Sequence, residues 1–167
     1  MCDTACLILP IRPPRQARDI FEHAILQHYI DHPEQELNMK ILFGHAHDAM
    51  EASDIVIVAS GTATLEAALL KKPMVITYKM PAMSWQILKR MQYQPYVGLP
   101  NILAGKFLVP ELLQDAATPQ ALADAALRLL DDENYLQEIK QEYMKIHLSL
   151  KQSSAEKAAK AILAYLS

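Results

Sequence analysis

The run Val58-Ala59-Ser60-Gly61-Thr62-Ala63-Thr64-Leu65-Glu66 gathers three hydroxyls and one carboxylate around a single glycine. An apolar, β-branched stretch ends there and a helix-forming stretch begins, so glycine makes the turn and the hydroxyls surround the first helical turn. The leading N–H groups of a helix have no partner inside it and carry a partial positive charge, which makes phosphate a natural ligand. Glu66 stands about one turn further in, where its carboxylate could accept from a ribose hydroxyl. The same residues admit a simpler reading, in which Ser60 or Thr62 caps the helix and Glu66 favours its dipole. Neither the Gly-x4-Gly-Lys loop nor the Gly-x-Gly-x-x-Gly fingerprint is present.

A second constellation is basic and apolar. Met83, Ile87, Leu88 and Met91 fall on one side of a short helix that also carries Trp85, Lys89 and Arg90. Basic residues beside a tryptophan suit an anionic membrane surface or an acylated, phosphorylated substrate; packing against another domain is the alternative. His28 and His32 are one helical turn apart, and His45 and His47 flank the turn at Gly44, but neither pair has a third ligand at zinc spacing. No metal site and no cofactor are therefore expected, although His45 or His47 could lie near a nucleotide. No Ser/His/Asp or Cys/His set is legible, and Asp131-Asp132-Glu133 reads as a solvated helix start.

The elements that position these residues alternate. Cys6–Leu9 is a short apolar run, Arg15–His32 an amphipathic helix with Ile20, Ala24 and Ile25 on one face, and Met39–Phe43 a second strand. A turn or two of helix over Asp48–Ala52 precedes Asp54–Ala59, whose β-branched run without polar alternation predicts a strand covered on both faces. A helix over Ala63–Lys71 and a covered strand over Met74–Tyr78 follow. This pattern predicts an α/β fold: a Rossmann-like open parallel sheet of four or five strands with helices on both faces. Beyond it, Ser84–Met91 reads as a short helix and Pro95–Pro110 as a proline-bounded loop with a little strand. Three C-terminal helices close the chain. Thr118-Pro119 opens the first, Asp132 or Asn134 caps the second, and Ser153-x-x-Glu156 is a capping box for the third.

At 167 residues, 51% hydrophobic and 21% charged, the chain is one globular domain rather than two, and it is not disordered. No apolar run is long enough for a membrane-spanning helix, and no signal peptide opens the sequence. Its two cysteines, Cys2 and Cys6, make neither a disulfide framework nor a redox pair, which fits a reducing cytoplasm. The net charge of −3 is unevenly spread. From Ala67 to Pro110 there is no acidic residue, while Lys71, Lys72, Lys79, Lys89, Arg90 and Lys106 fall there; of 16 basic residues this leaves 10 to face all 19 acidic ones elsewhere. One segment thus suits an anionic partner. All four glycines also lie between residues 44 and 105.

Several stretches resemble the lipid-A-disaccharide synthases: Ala52-Ser53-Asp54 through Ala67, Lys72-Pro73-Met74-Val75 with Tyr78, Leu99-Pro100-Asn101-Ile102-Leu103-Ala104-Gly105, Val109-Pro110-Glu111-Leu112-Leu113-Gln114, and Thr118-Pro119. The resemblance runs from about Leu7 to the C-terminus, and the Leu-Pro-Asn-x-Leu-Ala-Gly segment is its most specific part. It implies one half of a two-Rossmann-domain, GT-B glycosyltransferase. Members of that family join UDP-2,3-diacylglucosamine to 2,3-diacylglucosamine 1-phosphate and release UDP, peripherally on the cytoplasmic face of the Gram-negative inner membrane.

On this resemblance the chain corresponds to the UDP-binding half. Ser60, Gly61 and Thr62 would meet the diphosphate, Glu66 the ribose, Gly44 the neighbourhood of the uracil, and Asn101 the cleft beside the reacting sugar. The N-terminal acceptor half, with the general base, and the first strand of this half with its Pro-Gly-Ser-Arg loop are expected to be missing. Arg12 and Arg15 stand nearest the place of that loop's arginine. The implied partners are the UDP-sugar and lipid acceptor, an anionic membrane, the missing half and, through an uncovered cleft face, a second copy; nucleic acid is not among them. A UDP-sugar epimerase or another GT-B transferase is one alternative, and a non-catalytic nucleotide-binding or association module is another.

Overall fold

The computed structural model of the chain describes residues 5–8, 15–34, 39–42, 44–91 and 94–166. Cys2, Arg12 and the proline-rich stretch around them lie outside the described residues. The elements follow in the order β1 (Ala5–Ile8), α1 (Arg15–Asp31), β2 (Met39–Leu42), α2 (Ala46–Ala52), β3 (Val56–Ala59), α3 (Thr62–Leu69) and β4 (Met74–Tyr78). Then come α4 (Ala82–Met91), α5 (Leu99–Ala104), β5 (Glu111–Leu113), a 3-10 turn at Gln114–Ala116, α6 (Pro119–Asp131), α7 (Glu133–Leu150) and α8 (Ser154–Leu166). The expected α/β alternation is present, and all the described strand pairs are parallel.

The strands form two ladders rather than one continuous sheet. β1 pairs with β2, Ala5 opposite Met39, while β3, β4 and β5 pair in that order, Val56 opposite Met74 and Ile76 opposite Glu111. The core surrounds the three-stranded ladder. Met74, Val75 and Ile76 are consecutive and all fully buried, so β4 is covered on both faces, as its sequence predicts. β3 is not: Val56 and Val58 are buried while Ile57 and Ala59 are exposed. It is an edge strand of its ladder, and α3 packs on its Val56/Val58 side only. The apolar face expected on α1 is likewise open, Ile20 being 70% exposed, because the core is built around β3–β5 rather than around the separate β1–β2 ladder.

Helices α3, α5, α6 and α7 complete this core. Leu129 of α6 and Ile139, Tyr143 and Ile146 of α7 meet Ala67, Ala68, Leu108 and Val109. Helix starts follow the sequence. The Thr118 hydroxyl accepts from Ala121 N at 3.1 Å, and the Asp132 carboxylate accepts from Tyr135 N at 2.9 Å. Tyr143 is buried with no partner for its hydroxyl, and that burial pushes its phenol well above the usual range.

Pro95–Pro110 departs most from expectation, since it holds helix α5 rather than a loop with some strand. Gly98 precedes the helix, Pro100 stands in its first turn, and Gly105 closes it in the left-handed conformation at φ 67°. Six residues of helix are too few to stand alone, and the capping comes from elsewhere in the fold. Glu111 on β5 accepts from Val97 N and Gly98 N, each at 2.9 Å, serving two leading N–H groups at the start of α5.

Candidate nucleotide-binding site

The turn after β3 is built by the ladder and finished by glycine. Ser60 N donates to Thr77 O at 3.2 Å, which carries the β3–β4 pairing one residue past the strand. Gly61 then adopts φ 145° and ψ −165°, a region open essentially to glycine alone. No neighbour crowds the place where its Cβ would stand, so the requirement is the backbone conformation and not space. Helix α3 begins at the next residue.

That helix start has no side-chain cap, so neither Ser60 nor Thr62 serves as one. Thr64, fully buried, turns its hydroxyl back to Gly61 O at 2.7 Å. Ser60 Oγ donates to Val97 O at 3.2 Å, which commits its one proton to the main chain. The N–H groups of Gly61, Thr62 and Ala63 have no acceptor among the described residues, and Thr62 is exposed. Three neighbouring unpaired donors at the positive end of a helix are an arrangement that suits an anion.

A groove of about 400 Å³ runs along α3 from this point, lined by His47, Thr62, Leu65, Glu66, Leu69 and Leu70. It brings together three residues singled out in the sequence: Thr62, Glu66 and His47. It adds an apolar wall of Leu65, Leu69 and Leu70 that the sequence reading missed; their spacing on α3 carried the signal, but the packing of α2 alongside was needed to see it. His45 does not line the groove, and its ring nitrogen sits 3.2 Å from the Asp48 carboxylate. Gly44 is exposed at φ 79° in the turn from β2 to α2. A second cavity, about 410 Å³ and largely apolar, lies between β5 and α6 around Leu112, Ala125 and Leu129.

Asn101 requires correction. It was expected in a cleft beside a sugar, but its side chain is fully buried and wholly engaged. Oδ1 accepts from Leu108 N and Val109 N, each at 2.9 Å. Nδ2 donates to Val109 O at 2.9 Å and to Glu111 Oε1 at 2.8 Å. All four hydrogen-bonding positions of the amide are filled, leaving none for a ligand. Asn101 fastens α5 to the strand that follows it.

The basic segment also divides. Lys71 Nζ donates to Leu69 O at 2.8 Å and meets His147 Nδ1 at 2.9 Å, and burial lowers its pKa. Lys72 Nζ donates to Ser53 O at 2.9 Å, tying the end of α3 to the approach to β3. Lys106 pairs with Glu138 at 2.7 Å. Lys79, Lys89 and Arg90 are exposed and have no ion pair among the described residues. They stand on or beside α4, where Met83, Ile87 and Leu88 are exposed and Trp85 is half-buried.

Among the described residues no cluster of three His, Cys, Asp or Glu side chains is arranged to hold a metal ion. No helix among them is long and apolar enough to cross a membrane.

Comparison with known proteins agrees with the motifs. The family model for lipid-A-disaccharide synthetase matches residues 15–165. A lipid-A-disaccharide synthase of Methylobacillus flagellatus is 52% identical over 98% of this chain and 44% of its own length. One of Dechloromonas aromatica is 49% identical over 95% of the chain and 40% of its own length, and one of Aromatoleum aromaticum 53% identical over 91% and 38%. The chain thus spans well under half the length of the relatives it matches. With a matching family model over nearly its whole length and half its residues shared with these relatives, the chain belongs to the lipid-A-disaccharide synthetase family.

Proposed function

We propose that this chain is the donor-nucleotide half of a lipid A glycosyltransferase. In this reading the donor is UDP-2,3-diacylglucosamine and the acceptor 2,3-diacylglucosamine 1-phosphate, and transfer yields the β-1′,6-linked disaccharide and UDP. The observation that carries it is the uncapped start of α3, where Gly61, Thr62 and Ala63 offer free N–H groups next to Glu66 and His47. As the glycosidic carbon leaves the diphosphate, negative charge grows on the departing oxygens. Fixed N–H donors and a helix dipole stabilise that charge without reorganising. Glu66 accepts from the ribose and Gly44 borders the base. Acceptor-binding groups and the general base come from the other half of the synthase.

Titration of the chain with UDP tests this reading. Loss of a hydrogen bond to the charged Glu66 predicts that Glu66→Ala binds UDP about tenfold or more weakly. Unchanged affinity would remove Glu66 from the ribose, and absence of UDP binding by the unsubstituted chain would remove the nucleotide site itself.

The three unpaired cations around α4 favour a second contact, with an anionic inner-membrane surface from the cytoplasmic side. Exposed Met83, Ile87 and Leu88 give that helix an apolar contact to match. Trp85 fluorescence should shift to the blue with anionic vesicles and stay unmoved with neutral ones. An unmoved spectrum with both would overturn the contact.

A further inference from the structure

The two ends of the segment that carries α4 are held by side chains of the β5 region, and one of those holds reaches the nucleotide turn. Glu111 stands at the start of β5 as the first acidic residue after the acid-free stretch. Its Oε2 accepts from Val97 N at 2.9 Å; its Oε1 accepts from Gly98 N at 2.9 Å and from Asn101 Nδ2 at 2.8 Å. The other polar group of the Val97 main chain, its carbonyl, takes the Ser60 hydroxyl proton at 3.2 Å. Ser60 is bonded in turn to β4 through its own N–H, and the open donors begin at Gly61. Hydrogen bonds on either side of the Val97 main chain thus link the Glu111 carboxylate to Ser60, the residue just before the open donors.

We infer that Glu111 is a positioning residue of the diphosphate turn, acting through Val97 and Ser60. This rests on the reading of that turn as the donor-nucleotide site. Three donors converge on Glu111, and only a carboxylate answers them all. A glutamine has a single acceptor oxygen, and its amide N–H groups would confront the donors left over. Released from Glu111, the Val97 carbonyl no longer fixes Ser60. The Gly61, Thr62 and Ala63 donors then lose the common aim that makes them a phosphate site. Glu111 touches no ligand and is not a catalytic residue.

The test compares UDP with uridine, which lacks the phosphates, by NMR titration of the chain at a temperature where every variant is folded. Glu111→Gln should weaken UDP about tenfold and leave uridine within about twofold. Ser60→Ala, which removes one tie to Val97 and no buried charge, should shift the UDP-to-uridine ratio in the same direction. This second variant keeps the inference testable if Glu111→Gln does not fold. A folded Glu111→Gln chain with unchanged UDP affinity would overturn the inference, as would equal losses of UDP and uridine. Failure of the unsubstituted chain to bind UDP would overturn the donor-site reading and the inference with it. Normal UDP binding with an unaltered ratio in both variants would overturn the inference alone.

Discussion

Asn101→Ala should lower the unfolding free energy by roughly 2–4 kcal/mol, because it leaves the buried Val109 N–H and carbonyl without partners. Leu108 and Val109 are each 1% exposed; the Val109 N–H depends on the Asn101 carbonyl oxygen as acceptor, while the Leu108 N–H shares that oxygen with Lys106 O at 2.9 Å. Each buried donor left unpaired costs about 1–3 kcal/mol, and Val109 O and Glu111 Oε1 also lose the Nδ2 donor. Against a total stability of about 5–15 kcal/mol this is a large share, equivalent to a fall in Tm of about 4 °C or more. Urea unfolding followed by circular dichroism measures it. Asn101→Asp separates the contributions: it retains acceptors for Leu108 and Val109 but sets a second carboxylate against Glu111. It should therefore lose stability with rising pH as that new carboxylate ionises. A change below about 1 kcal/mol for Asn101→Ala would show that the amide is replaceable, by water or by rearrangement.

Gly98→Ala should cost roughly 2–4 kcal/mol, by overpacking and by loosening the start of α5. Gly98 has φ −82° and ψ 135°, a conformation open to any residue, so backbone strain is not the cause. An added Cβ would overlap Ile76 Cδ1 and lie 3.1 Å from Glu111 Oε1. Ile76 is fully buried at the middle of β4, so turning its Cδ1 aside disturbs packed neighbours. Either the core shifts or Gly98 withdraws from Glu111 and weakens the bond at the helix start. Ile76→Val removes the offending Cδ1, so the double variant should be more stable than the sum of the two single costs. Simple additivity in urea midpoints would place the damage elsewhere.

How much was legible in the sequence follows from the range of the interactions. The strand–glycine–helix turn at Ser60–Thr64 depends on neighbours in sequence, and its elements lie as read. Covered strand β4 was legible for the same reason, its apolar run being continuous. The edge position of β3 was not, since an identical β-branched run can face a helix on one side or on two. Helix α5 was missed because its sequence is short and begins with Gly-Leu-Pro. What holds it is Glu111, thirteen residues beyond Gly98. Asn101 was misplaced because a polar residue in a distinctive motif reads alike whether it faces a ligand or the core. Of its four bonds, three go to main-chain atoms, which no residue pattern displays. The site residues nearest α3 could be listed from the sequence, whereas their common groove required α2 to be seen beside them.

Gln114 has a bearing on solubility. Met80 follows β4 by two residues, and its N–H and carbonyl would otherwise extend the strand as the next open rung. The Gln114 carboxamide takes both: Oε1 accepts from Met80 N at 2.7 Å and Nε2 donates to Met80 O at 3.0 Å. One side chain thereby ends the ladder as a paired strand would, at the cost of holding Gln114 at a φ of 54°. An unsatisfied rung beside an apolar strand is a template for a stray chain to pair with, and strands of this composition are prone to such recruitment. With that rung filled, the end of β4 offers no open backbone pair where the chain turns away toward α4.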